Sequence, residues 1–330
     1  MWRYFRRKAL FYVLTFVIAA TLAWLIPRFM PGDPVRSMVS AQRLQHPESI
    51  HAMEAYYNDV FGYDQPLWSQ FASYWANLLR GDLGVSVFAF PKTVTSLIRG
   101  AIPYTIALLL PAILLSWWAG NKLGAVAARR RWLDNTVLPA SYLLTATPYV
   151  WMAILLSWAF GVVWRLFPIA YGYDQLLQPG WSWRFVSSLL SHWFLPFLSL
   201  FLVLLGGWAI GMRNLVIYEL ETDYANYLNA LGAPSRLVRR YAFHNALLPQ
   251  VTGLALQLGV IVAGNLVTEI VYAYPGLGSL ILQAIQRNDF FLLQGVLVFV
   301  ILGVLVANFL VDVVYVFVDP RTRLGMEGAS

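Results

Sequence analysis

Residues 9–27 pass without one charged side chain, and five more runs do the same: 100–121, 135–164, 185–212, 250–268 and 290–311. A helix of about 20 apolar residues spans the ~30 Å hydrocarbon core of a bilayer. Inside that core every backbone N–H and C=O must bond within the protein, which leaves helices for runs of this length. The chain is therefore expected to be an all-α polytopic membrane protein with six transmembrane helices. The first run invites a second reading, a secretory signal, whose apolar core would be about 7–15 residues with a small-residue cleavage site. This run is longer and leads into Arg28-Phe-Met-Pro-Gly-Asp-Pro34, so it is expected to remain as the first span.

Composition agrees. Only 12% of the 330 residues are charged, 59% are hydrophobic and the mean hydropathy is +0.60, whereas soluble domains carry about 25% charged residues. The net charge of +7 raises the question of nucleic acid. Its basic residues flank the apolar runs instead of forming a soluble patch, which argues against a nucleic-acid partner. There are no cysteines, which excludes disulfides, iron–sulfur clusters and thiolate zinc sites.

Lysine and arginine collect in cytoplasmic loops. With the N-terminus inside, the inner segments 1–8, 129–135, 213–250 and 318–330 hold 13 basic residues in 66 positions. The outer segments 28–103, 165–184 and 273–291 hold 9 in 115. Both termini and the loop 213–250 are thus expected in the cytoplasm. The segment 31–103 mixes five basic and six acidic residues with Gly and Pro punctuation, and reads as a small folded extracytoplasmic region. The expected division is a tail and first span (1–30), the extracytoplasmic region (31–103), a five-helix core with its cytoplasmic loop (104–320), and a C-terminal tail (321–330).

No catalytic pattern appears. None of the three lysines, Lys8, Lys92 and Lys122, follows a glycine, so there is no phosphate-cradling Walker loop. The histidines, His46, His51, His192 and His244, form no His-Glu-x-x-His pair, and no Gly-x-Ser-x-Gly elbow occurs. Neither a metal site nor a cofactor site is expected in this chain. Uphill transport would need another subunit or an ion gradient.

Polar groups within spans are expensive and draw attention. Asn265 and Glu269 lie four apart and share a helix face. They either line a pathway or brace its outer gate, or Glu269 is a helix-end carboxylate bonded to nearby backbone. Gly206, Gly207 and Gly211 in the fourth run, and Gly253, Gly259 and Gly264 with Ala255 and Ala263 in the fifth, give small faces that let helices approach closely. The 14 tryptophans are mainly interface anchors.

One loop stands apart, residues 222–249. Thr222 or Asp223 can cap a short helix, and Gly232 followed by Pro234 can end it. Ser235 can cap a second helix carrying Arg236, Arg239, Arg240 and His244 on roughly one face. Pro249 then opens the next apolar run.

This loop resembles the cytoplasmic coupling loop, often called the EAA loop, of permease subunits of ATP-binding-cassette importers. Gly232 stands at the motif's glycine, and Asn-Ala-Leu-Leu-Pro249 resembles its closing Leu-Pro. The gap of 17 residues suits the dipeptide, oligopeptide, nickel and oligosaccharide group, while Asn226, Tyr227 and Leu228 replace Glu-Ala-Ala. Other strings carry the same resemblance in order: Pro31-Gly-Asp-Pro34, Asp64-Gln-Pro-Leu-Trp68, Leu79-Arg-Gly-Asp-Leu-Gly-Val-Ser86, Glu269 before Pro275-Gly-Leu-Gly278, and Asn308, Asp312, Tyr315 and Asp319-Pro-Arg321.

The resemblance implies half of a translocation pathway in a prokaryotic inner membrane. The expected partners are a second homologous permease, two ATPase subunits that hold ATP and Mg, and an extracytoplasmic solute-binding protein. Asp223, Tyr224, Asn226, Tyr227, Ala230, Gly232 and Ala233 would couple to the ATPase. Asn265, Glu269, Pro275, Gly276 and Gly278 would form the pathway or outer gate. The string Gly206-Gly-Trp208 with Gly211-Met-Arg-Asn214 resembles oligosaccharide carriers, which favours oligosaccharides over di- or oligopeptides. A gradient-driven carrier or a polytopic membrane enzyme are the alternatives; both predict activity without an ATPase.

Overall fold

The computed structural model describes residues 2–31, 35, 39, 50–259 and 266–318, with side chains described except at 2–5, 50–54, 60, 259 and 310–318. Its regular elements are helices: α1 (Trp2–Leu25), α2 (Ile50–Phe61), α3 (Leu67–Leu79), α4 (Val94–Ala127), α5 (Arg131–Ala146), α6 (Tyr149–Leu156), α7 (Trp183–Leu220), α8 (Asp223–Ala230), α9 (Ser235–Gly259), α10 (Leu266–Val271), α11 (Leu277–Gln286) and α12 (Phe290–Val318). Among the described residues the only β feature is the isolated pair Val85 and Thr93.

Among the described residues four helices are long and apolar enough to cross a bilayer: Arg6–Phe29, Val94–Ala127, Trp183–Leu220 and Phe290–Phe309. These match the first, second, fourth and sixth predicted runs. The helices α4 and α7 hold 34 and 38 residues. At 1.5 Å per residue each exceeds the ~30 Å apolar core by roughly 20 Å or more, so their ends project beyond it.

The third run departs from expectation. Instead of one span over 135–164, it forms two helices bent by 102°. Thr147 and Pro148 sit in extended conformations, with ψ of 121° and 143°. Proline drives the residue before it out of the helical region, so α5 ends there. A π-helical turn, Ser157–Val163, completes the bent pair. If that pair counts as one span, the described total is five. The expected fifth run, 250–268, includes positions 260–265, which lie outside the described residues. Nor does Pro249 open a new helix. It sits inside α9, which runs unbroken from the basic segment into the apolar one.

The chain divides into two compact units, 1–104 with 275–330, and 105–274. In the first, Ala20 and Ala23 of α1 pack on Val298 of α12, with Tyr74 and Trp75 of α3 alongside. Tyr74 Oη donates to the Ala20 carbonyl at 2.9 Å. A second core joins Val94, Ile98 and Ala101 of α4 to Leu277 and Ala284 of α11 and to Leu292, Leu293 and Val296 of α12. The helix α11 was not expected, because 273–291 reads as a loop. Of its ten residues Leu277, Gly278, Ser279 and Ala284 are buried; it is too short for a span but enough to cover this core.

In the second unit α7 is the central post, against which α5, α6 and α9 all pack. The small residues explain the closeness. A Cβ at Gly124 would lie 2.2 Å from the Ala209 carbonyl, and one at Gly206 would lie 2.5 Å from that of Ser141. In the fourth run Gly206 is thus packed against α5, whereas Gly207 is exposed. In the fifth run, Gly253 meets the Trp208 ring, and Ala263 and Gly264 lie outside the described residues.

Candidate functional site

The loop 222–249 forms the two expected helices, with changes at Thr222 and at Pro249, through which the second helix continues. Thr222 precedes α8 but its side chain makes no cap bond to it. Its Oγ1 donates backwards to the Glu219 carbonyl at 2.6 Å. The end of α8 is sharply specified. Gly232 has φ +76°, a conformation that costs an L side chain about 1–2 kcal/mol. Around it, Gly232 N donates to the Asn229 carbonyl and Ala233 N to the Leu228 carbonyl, each at 3.0 Å. This pair of bonds satisfies the last carbonyls of the helix and turns the chain away. Ser235 is then the first residue of α9.

Packing makes α8 one-sided. Ala225 is fully buried. Asp223, Asn226, Asn229 and Ala230 face solvent, as do Tyr227 and Leu231, both 65% exposed. Tyr227 and Leu231 are four apart, so one face of the short helix presents two large apolar side chains.

What fixes that face is Glu219, a residue that sequence reasoning missed. Its Oε2 accepts from Tyr224 Oη at 2.8 Å and from Asn245 Nδ2 at 3.2 Å. One carboxylate thus ties the end of α7 to α8 and α9. Burial, and secondarily the bond to Glu219, push the Tyr224 phenol above its ordinary value. The phenol therefore remains the donor at neutral pH. Signals existed in the sequence: an acid just before the loop, and a tyrosine five positions on. Nearby, Arg129 is pushed below its ordinary value by burial and by the like charge of Arg239. Arg213 forks onto Asp134, with Nε to Oδ1 at 2.8 Å and Nη2 to Oδ2 at 2.5 Å, joining α7 to α5.

The other predicted cluster is differently made. Asn265 lies outside the described residues. Glu269 has no exposure at all, and its Oε1 accepts from Thr105 Oγ1 of α4 at 2.7 Å. The chain then turns tightly. Tyr274 N donates to the Glu269 carbonyl at 2.8 Å, and Ala273 adopts φ +44°. Tyr272 is buried, with its Oη donating to the Ala153 carbonyl at 2.9 Å, and its own carbonyl accepts from Tyr171 N at 2.9 Å. Pro275 and Gly276 follow, and Gly276 precedes α11. Both Gly276 and Gly278 are buried.

Asp289 is a second missed residue. It is 1% exposed and stands just before α12. Its Oδ1 accepts from Leu292 N at 3.0 Å, a helix cap. Its Oδ2 accepts from Ser86 Oγ and from Phe88 N. The single aspartate anchors the 86–88 loop onto the start of α12. Asp before Phe290-Phe-Leu-Leu293 is a cap signal legible in the sequence.

Among the described residues no group of three or more His, Cys, Asp or Glu could hold a metal ion. The residues so placed bind helices together and present a surface.

Comparison with known proteins gives one consistent answer. Residues 112–324 match the family described as binding-protein-dependent transport system inner membrane component. The di/tripeptide transport system permease protein DppB of Pseudomonas aeruginosa is 30% identical, over 94% of this chain and 95% of its own. The probable D,D-dipeptide transport system permease protein DdpB of Escherichia coli is 31% identical, over 98% of each chain. The dipeptide transport system permease protein DppB of Escherichia coli is 27% identical, over 98% of this chain and 99% of its own. These names concern peptides and give no support to the expected preference for oligosaccharides. A chain whose described regular elements are helices, several of them long and apolar enough to cross a membrane, and which matches this profile over 112–324 and such relatives over nearly all its length, belongs to the binding-protein-dependent transport inner membrane family, as a multi-pass permease subunit of a peptide-group ATP-binding-cassette importer.

Proposed function

We propose that this chain forms half of the passage for di- or oligopeptides in a bacterial inner membrane, and that α8 is the handle by which ATPase subunits work it. The observation that carries the reading is the shape of α8: Tyr227 and Leu231 stand out on one side, while Glu219 holds the other side to α7 and α9. A partner pressing on that face moves two long helices together, because the hub is shared.

In this reading the chain has six spans with both termini inside, and 31–103 lies outside the membrane. Asp223, Tyr224, Asn226, Tyr227, Ala230, Gly232 and Ala233 make the coupling surface. Glu269, with Asn265, Pro275, Gly276 and Gly278, braces the outer gate. A homologous second permease completes the passage, two ATPase subunits supply ATP and Mg, and a solute-binding protein delivers the peptide. Closure of the ATPases shifts the bundle from inward-open to outward-open by as much as ATP and the loaded receptor prefer the second state. Peptide is the solute because the relatives are named for peptides.

The test is reconstitution. Vesicles holding the chain with its co-purified ATPases and binding protein should accumulate a labelled tripeptide only with ATP. Vesicles holding the chain alone should accumulate none. Accumulation by the chain alone would return the question to a gradient-driven carrier.

A further inference from the structure

The second unit contains a cleft of about 520 Å³ that the coupling and gating residues do not touch. It opens where the third run breaks. Thr145, Thr147 and Tyr149 line it from the bend between α5 and α6, Gly207 and Gly211 from α7, and Gln250 and Gln257 from α9. Its volume falls in the range of small-molecule sites, about 300–1,000 Å³.

Two features of the lining point to a ligand. The first is its charge. No Asp, Glu, Lys, Arg or His is among the described lining residues. The second is the pair of carboxamides. Gln250 is only 5% exposed. Its backbone carbonyl accepts from Trp117 Nε1 at 3.1 Å, but its carboxamide makes no hydrogen bond among the described residues. Gln257 likewise makes none with its side chain. Gln250 lines the cleft with its carboxamide unspent on the chain, and Gln257 is partly exposed along the same wall, so both can bond a molecule that enters. Gly211 makes room for the first: a Cβ there would stand 2.8 Å from Gln250 Nε2.

Spacing then selects the chemistry. Seven residues on α9 are close to two turns, so both carboxamides share a face about 10 Å apart along the axis. An extended chain rises about 3.3 Å per residue, so that separation matches three residues of peptide. A carboxamide offers both a donor and an acceptor, the complement of a peptide group. A lining without charge leaves the peptide's side chains unselected.

We propose that this cleft binds the main chain of a short peptide in transit, with Gln250 and Gln257 bracketing about three residues. The proposal rests on the peptide-importer reading and adds a binding site within the permease itself.

The test uses the whole complex in vesicles, with labelled trialanine as the probe. The double variant Gln250→Leu with Gln257→Leu should lower trialanine uptake at least tenfold. Assembly, and ATP hydrolysis stimulated by loaded binding protein, should stay within twofold of wild type. A second variant guards against a folding defect. Because the chain has no cysteine, Gln257→Cys supplies one thiol. A polar maleimide should label it, and turnover with trialanine should slow labelling at least fivefold, whereas an oligosaccharide should not. Wild-type import of trialanine with the double variant undiminished would overturn the site and leave the importer reading standing. A Gln257→Cys thiol that never labels would also overturn it, since a partner helix or lipid then fills the cleft. Failure of the wild-type complex to import any peptide would overturn the importer reading and the site with it.

Discussion

Two glutamates, Glu219 and Glu269, do similar bonding in opposite surroundings. Glu219 is partly solvated and gathers Tyr224 and Asn245 beneath an exposed helix. Glu269 has no exposure and is bonded by Thr105 across to α4. The first holds an exposed helix face in place. The second holds the chain to itself. The contrast separates a site whose loss should uncouple from a site whose loss should unfold.

Substitutions around the buried acids should therefore cost stability and transport in parallel. Asp289→Ala should have the largest effect. It removes a cap and the bonds to the 86–88 loop, about 3 kcal/mol in all, read as a fall in the thermal unfolding midpoint of the detergent-solubilised protein. Thr105→Val comes next. Losing one bond to a buried carboxylate costs about 2 kcal/mol, again with uptake and expression falling together. Uptake lost at normal stability would move Glu269 from brace to pathway.

Around the exposed helix the ranking inverts. Gly232→Val should destabilise the fold by about 2 kcal/mol, because open space surrounds its Cβ position and the cost is backbone strain alone, at the upper end for a β-branched side chain. Peptide uptake should nonetheless fall at least tenfold as the end of α8 is redirected. Asp134→Asn should cost about 1 kcal/mol or less, the scale of partly exposed ion pairs, and its effect should shrink in high salt. The smallest effect belongs to Tyr224→Phe. The folded-state phenol titrates above its ordinary value, so its contribution is fully present below about pH 10 and is lost only as pH rises beyond the raised value. Coupling in wild type should not change between about pH 6 and pH 9 through this group. A coupling loss in that interval that Tyr224→Phe abolishes would contradict the assignment.

The sequence revealed whatever rests on apolar length. The runs at 9–27, 100–121, 185–212 and 290–311 each became a long helix. It misled where a proline's effect depends on its neighbours. Pro148 follows Thr147 inside an uncharged run, and hydropathy alone does not register the break. Pro249 coincides with the change from basic to apolar sequence, which reads as a boundary, yet α9 continues through it. The short helix Asp223–Ala230 was legible because turn residues act locally, as Gly232 does. Glu219 and Asp289 were legible only in their local bonds, to Tyr224 and Leu292; their other partners lie far along the chain, Asn245 26 residues from the first and Ser86 203 from the second. The cleft at the α5–α6 bend depends on that same break, so it too was invisible beforehand.

The central claim is that partner ATPases drive this permease through the exposed face of α8. The most direct measurement is ATP hydrolysis by the reconstituted complex, stimulated by peptide-loaded binding protein, with Tyr227→Ala and Leu231→Ala combined. The account predicts that stimulation and uptake both fall at least tenfold while the unfolding midpoint of the permease stays the same. Stimulation and uptake at wild-type levels in that variant would contradict it.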